Sequence, residues 1–322
     1  MVAILTAMPR ADALADVLDL LRVRGAVMAH VRANAPWGLR LPRATGATFH
    51  AVTTGHCWVR VPGRSPRKLL AGDVVLLPTG AGHVVASDVA GPARAWDRVA
   101  KAQARTAAGE IMLPGAGTAT QIICAAFEYD RDVVHPLLSL LPPSLFLSER
   151  DRPEGDAVRS TLQLLHRELT APSAGSAIVL DRLIDVLFVH VIRAWVASRN
   201  ERATSWLVAL RNPGVARALA VMHADPGAPW TLERLARESN LSRATLARRF
   251  ASLVGEPPLA YLTRWRMELA ARDLRATDDA VSAIAHRVGY TSEFAFSRAF
   301  SRHRGHAPGR YRIEARAHRG AG

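Results

Sequence analysis

One pattern occurs twice in the last third of the chain, and few folds can accommodate it. TLERLARESNLSRATLARRF covers Thr231–Phe250, and AVSAIAHRVGYTSEFAFSRAF covers Ala280–Phe300. Each copy opens with a short amphipathic helix, Leu232–Glu238 or Val281–Val288, and continues into a turn on Asn240 or Gly289. A serine then follows, Ser242 or Ser292, placed where its side-chain oxygen satisfies an orphan N–H of a second helix. Leu246, Phe250 and Leu253 recur at i, i+4 and i+7, which assigns them to the core, as it does Phe296 and Phe300 in the second copy. Arg243, Ala244, Ala247 and Arg248 are left on one outward stripe, and Glu293, Phe294, Ser297 and Arg298 on the other. Gly289 supplies the positive φ that closes a helix before a turn. Two short helices joined by a tight turn push one helix outward, and an outward helix is the element that fits a DNA major groove. The competing reading is a pair of ordinary hairpins in an all-α core; two copies with matching caps weigh against it.

The stretch from Trp206 to Arg312 resembles the DNA-binding region of the AraC/XylS family of transcription regulators. The string IAHRVGYTSEFAFSRAFSRHRGHAPGRYR (Ile284–Arg312) follows that family's signature closely. One departure is Arg304, which stands where the family usually has an aromatic before the glycine. The resemblance implies two helix-turn-helix units, at 231–253 and 280–303, joined by a long helix and meeting successive major-groove segments. PPLAYLTRWRMELAARDLR (Pro257–Arg275) supplies a connector that opens on prolines, as a helix start tolerates, with Leu259, Leu262, Trp265 and Leu269 on one face. About 18 residues at 1.5 Å each give a rod of roughly 27 Å, comparable to the roughly 34 Å groove repeat. The DNA-facing set is therefore Ser242, Arg243, Ala244, Thr245, Ala247, Arg248, Ser292, Glu293, Phe294, Ser297, Arg298 and Arg302. The resemblance also implies RNA polymerase as a partner and activation of transcription, although the residues themselves do not distinguish activator from repressor.

Charge agrees. The formal net charge is +14, and Leu207–Gly322 holds 19 Arg against 10 acidic residues, so most of the excess sits beside the helix pairs. By itself this is weak, because charge is commonly a solvated face and Lys occurs only at Lys68 and Lys101. At 322 residues about two domains are expected. No run of 18 apolar residues exists, and MVAILTAMPRADALADVL is broken by Pro9, Arg10 and Asp12, so neither a signal peptide nor a membrane span is expected. Two cysteines cannot form a disulfide framework, and a reduced, cytoplasmic protein is the expectation.

The first part of the chain carries short β signals. GATFHAVTTGHCWVRVPG (Gly46–Gly63) reads as two strands around Thr54-Gly55, followed by KLLAGDVVLLPTGAGHVVAS (Lys68–Ser87) and TATQIICAAFEYD (Thr118–Asp130). The spacing Gly72-x5-Pro78-x-Gly80-x2-His83-x3-Ser87 is similar to the second motif of cupins, the jelly-roll barrels, while only His50 remains of the first. The fold expected is α+β. A cupin-like β-barrel (jelly roll) sensor domain takes residues 1–130, a helical segment 131–205, and an all-α double helix-turn-helix domain 206–322.

If Thr54-Gly55 closes a two-residue hairpin, His50 and Cys57 share a face. His83 follows the Pro-x-Gly turn, and Cys124 lies on a later strand. His50, Cys57, His83 and Cys124 would then make a soft N/S set, for which zinc is the fitting metal. The alternative is that buried Cys acts as a small hydrophobe and the His side chains are satisfied by hydrogen bonds or line a ligand pocket. Between the domains, Ser176–Ser198 places Leu180, Leu183, Ile184, Leu187, Phe188, Val191, Ile192 and Trp195 on one broad apolar stripe. Its partner is either the helix Ala157–Leu169 or a second subunit, and a homodimer through Leu187, Val191 and Trp195 is one expectation. Asn200–Gly214 reads as the hinge. The function read is a double-stranded-DNA-binding transcription regulator, not an enzyme, answering to a small molecule or metal; the alternative is a metal-dependent cupin enzyme with a DNA-binding appendage.

Overall fold

The computed structural model describes residues 12–21, 23–102, 110–129, 141–153, 155–198 and 206–320. The chain forms two compact units, one made of Arg22–Tyr129 with Leu141–Arg199, the other of Asn200–Gly322 with Met1–Leu21 and Asp130–Leu140. Of the expected hinge, residues 200–205 lie outside the described residues.

The first unit is built on two mixed sheets. Its strands are β1 (Arg24–Asn34), β2 (Gly38–Leu41), β3 (Ala47–Thr54), β4 (His56–Arg60), β5 (Arg67–Leu70), β6 (Val74–Leu77), β7 (His83–Ala86), β8 (Arg94–Ala95), β9 (Glu110–Leu113), β10 (Ala119–Glu128) and β11 (Leu145–Leu147). The larger sheet runs β11-β6-β3-β10-β1-β9 and the smaller β5-β4-β7-β2-β8. Edge strands β9 and β8 are parallel to their neighbours, and the other pairings are antiparallel. The two sheets remain separate and open, so the architecture is a sandwich of cupin type and not the closed barrel expected. Apolar side chains such as Val31, Leu39, Val52, Val59, Leu77 and Ile122 fill the interior. The expected two-residue hairpin at Thr54-Gly55 is not made. β3 pairs with β10 and β6, whereas β4 pairs with β5 and β7. The chain changes sheet at Gly55, whose φ of +74° a side chain would resist.

Two helices, α3 (Ala157–Thr170) and α4 (Ser176–Ala197), follow a short helix α2 (Trp96–Ala102) in chain order and pack with these sheets. Asp156 caps α3 by accepting from Arg159 N at 2.6 Å. On α4, Ile184, Leu187, Phe188, Val191, Ile192 and Trp195 are all buried within the chain. The stripe is therefore intrachain core, which corrects the expectation that Leu187, Val191 and Trp195 face a second subunit. Phe188 meets Phe127 of β10 with ring centroids 4.7 Å apart. Close approach of α4 to β1 depends on Gly25: a Cβ there would lie 2.2 Å from Ile184 Cγ2, and its N–H donates to Asp185 Oδ1 at 2.8 Å. Both faces of β10 are thus covered, which is why Ile122, Ile123, Cys124 and Ala125 form a continuous apolar run.

The second unit is helical: α1 (Ala13–Leu20), α5 (Trp206–Ala209), α6 (Pro213–Ala224), α7 (Leu232–Glu238), α8 (Arg243–Val254), α9 (Pro258–Ala276), α10 (Val281–Arg287), α11 (Glu293–Arg304) and α12 (Pro308–Gly320). Although α1 lies in the 1–130 span, it packs on α6, where Asp16 pairs with His223 at 3.3 Å. The His223 ring stacks on Trp265 at 4.0 Å and bonds the Tyr261 hydroxyl through Nε2 at 2.7 Å. Helix α9 runs between two apolar clusters: Tyr261, Leu262 and Trp265 are buried toward its start, and Met267, Ala270, Ala271 and Leu274 pack with Ile284, Phe296 and Phe300. Two inward assignments need correction. Leu259 is exposed, and Val254 occupies the buried position expected of Leu253, which is half-buried. Among the described residues no helix is long and apolar enough to cross a membrane.

Candidate nucleic-acid interface and buried histidine chain

Both outer helices are built as their caps require. Ser242 Oγ accepts from Thr245 N at 3.2 Å, and Ser292 Oγ accepts from Ala295 N at 3.4 Å. The turns before them rest on Asn240 at φ +53° and Gly289 at φ +85°. Asn is the residue after Gly that best tolerates this region, which explains the difference between the copies. Leu246 and Phe250 on α8, and Phe296 and Phe300 on α11, are fully buried. Their opposite faces are in solvent. Ser242, Arg243, Ala244 and Arg248 are exposed, with Thr245 and Ala247 half-buried; Ser292, Glu293, Phe294, Arg298 and Arg302 are exposed, with Ser297 half-buried. Phe294 stands 72% exposed, with the Arg298 guanidinium 5.8 Å from its ring centre. Arg243 Nη1 donates to Glu233 Oε1 at 2.6 Å, a bond that holds the Glu233 carboxyl below its usual range. An exposed pair of this kind is worth little and opens readily for another acceptor.

Several other arginines serve the fold. Arg266 donates to the carbonyls of Pro226 and Ala228 at 2.6 and 2.8 Å, fastening the loop that precedes α7. Arg287 donates to Asp273 at 2.7 Å and Asp279 at 2.5 Å. Arg304, the departure noted in the sequence, pairs with Glu268, a carboxylate with no exposed side-chain surface, and lies 5.7 Å from the Tyr311 ring centre. His303 Nε2 reaches the same carboxylate at 2.9 Å. None of these partnerships has a sequence signal, because they join residues 8 to 40 positions apart that belong to different segments.

In the sandwich interior, three of the four expected donors meet. His50 Nδ1 is 3.1 Å from Cys124 Sγ, and His50 Nε2 is 2.6 Å from His83 Nε2. His83 Nδ1 lies 2.8 Å from the Ala81 carbonyl, which can only accept. That fixes the protons: His83 carries its hydrogen on Nδ1, so its Nε2 accepts from His50 Nε2–H, and His50 Nδ1 accepts from the Cys124 thiol. The arrangement is neutral throughout. Burial, with His83 adding to it, holds His50 well below its usual range, burial lowers His83, and burial pushes the Cys124 thiol up to about 12. Cys57 is also buried, and its thiol is pushed up mainly by burial.

The zinc reading of His50, Cys57, His83 and Cys124 is not what this geometry supports. Cys124 and His83 meet different nitrogens of one imidazole, so the donors form a chain and do not surround a point. Among the described residues no group of three or more His, Cys, Asp or Glu is arranged to hold a metal.

The chain thus joins a two-sheet sandwich unit to a basic helical unit with two Ser-capped helices of exposed outer face, the build of a DNA-binding domain. A family model described as "Cupin" matches residues 12–197, and one described as "Helix-turn-helix domain" matches residues 235–313. A "Putative AraC-like transcription regulator" of Streptomyces lividans is 37% identical over 310 residues, covering 94% of this chain and 98% of the relative. The "HTH-type transcriptional regulator AlkR" of Acinetobacter baylyi is 29% identical over 306 residues, covering 94% and 99%. Among solved structures, the DNA-binding domain of AdpA in complex with a target DNA is 35% identical, covering 34% of this chain and 98% of that chain with a TM-score of 0.33. The chain belongs to the AraC-like transcription regulators, with a cupin domain and a helix-turn-helix domain, and is a DNA-binding transcription regulator.

Proposed function

We propose that the regulator reads DNA with two helix-turn-helix units, α7–α8 and α10–α11, whose outer helices enter successive major-groove segments. The observation that carries this is the pair of Ser-capped helices with fully buried inner faces and exposed outer faces, joined by α9. Arg243 and Glu293 follow their caps directly, near the helix end that meets base edges. Arg243 is suited to guanine and Glu293 to cytosine N4. Arg248, Arg298 and Arg302 lie further along and suit phosphates; Ser242, Ser292, Ala244, Thr245, Ala247, Phe294 and Ser297 complete the surface. The sandwich unit senses a small molecule and the protein acts as an activator through RNA polymerase. A homodimer would use surfaces other than the buried face of α4.

Fluorescence anisotropy on a duplex selected by the protein from a random pool tests the base-reading role. Arg243→Ala should cost about 1–3 kcal/mol on the preferred sequence and relax the choice at one base pair. Uniform weakening on every sequence, with a shallower salt slope, would make Arg243 a phosphate contact and remove the assignment.

A further inference from the structure

The side chains of α3, α4 and β11, together with the turn before α3, line a partly open cavity of about 590 Å³ in the sandwich unit. That volume lies in the range of small-molecule sites. Phe146, Leu147, Val158 and Ala194 give it apolar walls. Arg152 also lines it, with a side chain only 5% exposed. Its Nη2 donates to the Gly72 carbonyl at 2.8 Å, and its Nε forms an ion pair with Asp156 Oδ2 at 2.6 Å without hydrogen-bond geometry. Nη1 is buried with no hydrogen-bond partner among the described residues. A buried donor left unmatched is costly, and the described fold supplies no acceptor for this one.

Charge decides what kind of acceptor belongs there. Asp156 pairs with Arg152 directly, while Glu149 acts on it from outside the lining and is itself paired with Arg159 at 2.9 Å. The lining as a whole carries Asp151 and Asp156 against Arg152 and Arg193, so its formal charges balance. The guanidinium is already compensated by Asp156, so a further carboxylate would stand beside that one while gaining one hydrogen bond. A neutral oxygen satisfies Nη1 without that repulsion. We infer that this cavity is the effector site, and that it takes a neutral carbonyl compound with an apolar body, such as a ketone, ester or amide, whose oxygen accepts from Arg152. The inference rests on the reading of the sandwich unit as a small-molecule sensor. It moves the site from the side-chain-filled interior between the sheets to the cleft beside the helices. Ala194 and Ala197 of the cavity wall lie at the C-terminal end of α4 and Ser198 caps it, the last described stretch before Trp206 in sequence.

Three probes of nearly one size separate the possibilities: butyrophenone (neutral acceptor), 4-phenylbutyrate (anionic acceptor) and butylbenzene (no acceptor). Titrated calorimetrically into the full chain, butyrophenone should bind with one site per chain, about tenfold more tightly than either of the others. In Arg152→Met the ketone should lose that advantage over butylbenzene. Since Arg152 also tethers its surroundings, Ala194→Phe, which fills the cavity from α4, serves as the second variant and should abolish binding with the circular dichroism spectrum unchanged. Equal binding of butylbenzene, tighter binding of 4-phenylbutyrate, undiminished binding by Ala194→Phe, or no binding of any probe would each overturn the inference. DNA binding measured on the same samples keeps the two readings apart. Loss of probe binding with DNA binding intact removes only the cavity proposal, whereas absence of DNA binding strikes the double-head reading.

Discussion

Replacing Arg304 by Met tests how the second outer helix is held. Arg304 closes α11, and its partner Glu268 lies on α9 with no exposed side-chain surface; Arg304 itself is 7% exposed. Removing one member of a buried ion pair leaves a charge that water cannot reach, at a cost of about 3–5 kcal/mol. His303 tempers this, since its Nε2 stays 2.9 Å from Glu268 and the ring is partly exposed. Loss of the guanidinium from the Tyr311 ring adds about 0.5–1 kcal/mol. The single variant should therefore lose at least about 3 kcal/mol, a fall in the helical unit's unfolding midpoint on the order of 10 °C. Affinity for the selected duplex should fall with it. The double variant Glu268→Met/Arg304→Met replaces the pair by apolar groups of similar size and should recover most of the loss, because the buried pair carries two desolvation penalties that apolar side chains do not. Urea unfolding of wild type, both singles and the double closes the cycle. A single-variant cost below about 1 kcal/mol, or a double variant as unstable as the sum of the singles, would refute the reasoning.

Leu187→Glu should fail to give a folded sandwich unit, since Leu187 is fully buried and a carboxylate there has no partner; a folded, stable monomer would show that the α4 stripe faces outward after all. Stability should fall as pH drops below about 6.5 and stay level just above it, because His30, His50, His83 and His223 all have protonation lowered, chiefly by burial. The unfolded chain binds protons there that the fold refuses, so the slope is positive with pH; urea midpoints that rise on acidification would contradict this.

The double helical pattern was legible because it is local. Caps, positive-φ turn residues and i, i+4 aromatics are all set within about twenty positions, and Ser242, Asn240, Phe250, Ser292, Gly289 and Phe300 stand in the structure as the periodicity assigns them. Strand β1 was not legible, because a bulge between Val27 and Ala29 shifts its alternation midway. Which sheet β4 joins was decided by tertiary pairing: a turn at Gly55 can close a hairpin or carry the chain across to the other sheet, and only the neighbours β5 and β7 choose. The apolar stripe of α4 specified that one face is buried but not against what. His50, His83 and Cys124 could be named from sequence, yet whether they surround a point or line up depends on side-chain directions across three strands. Hydrophobic periodicity records that a face is hidden; the identity of what hides it is long-range, and only the folded chain contains it.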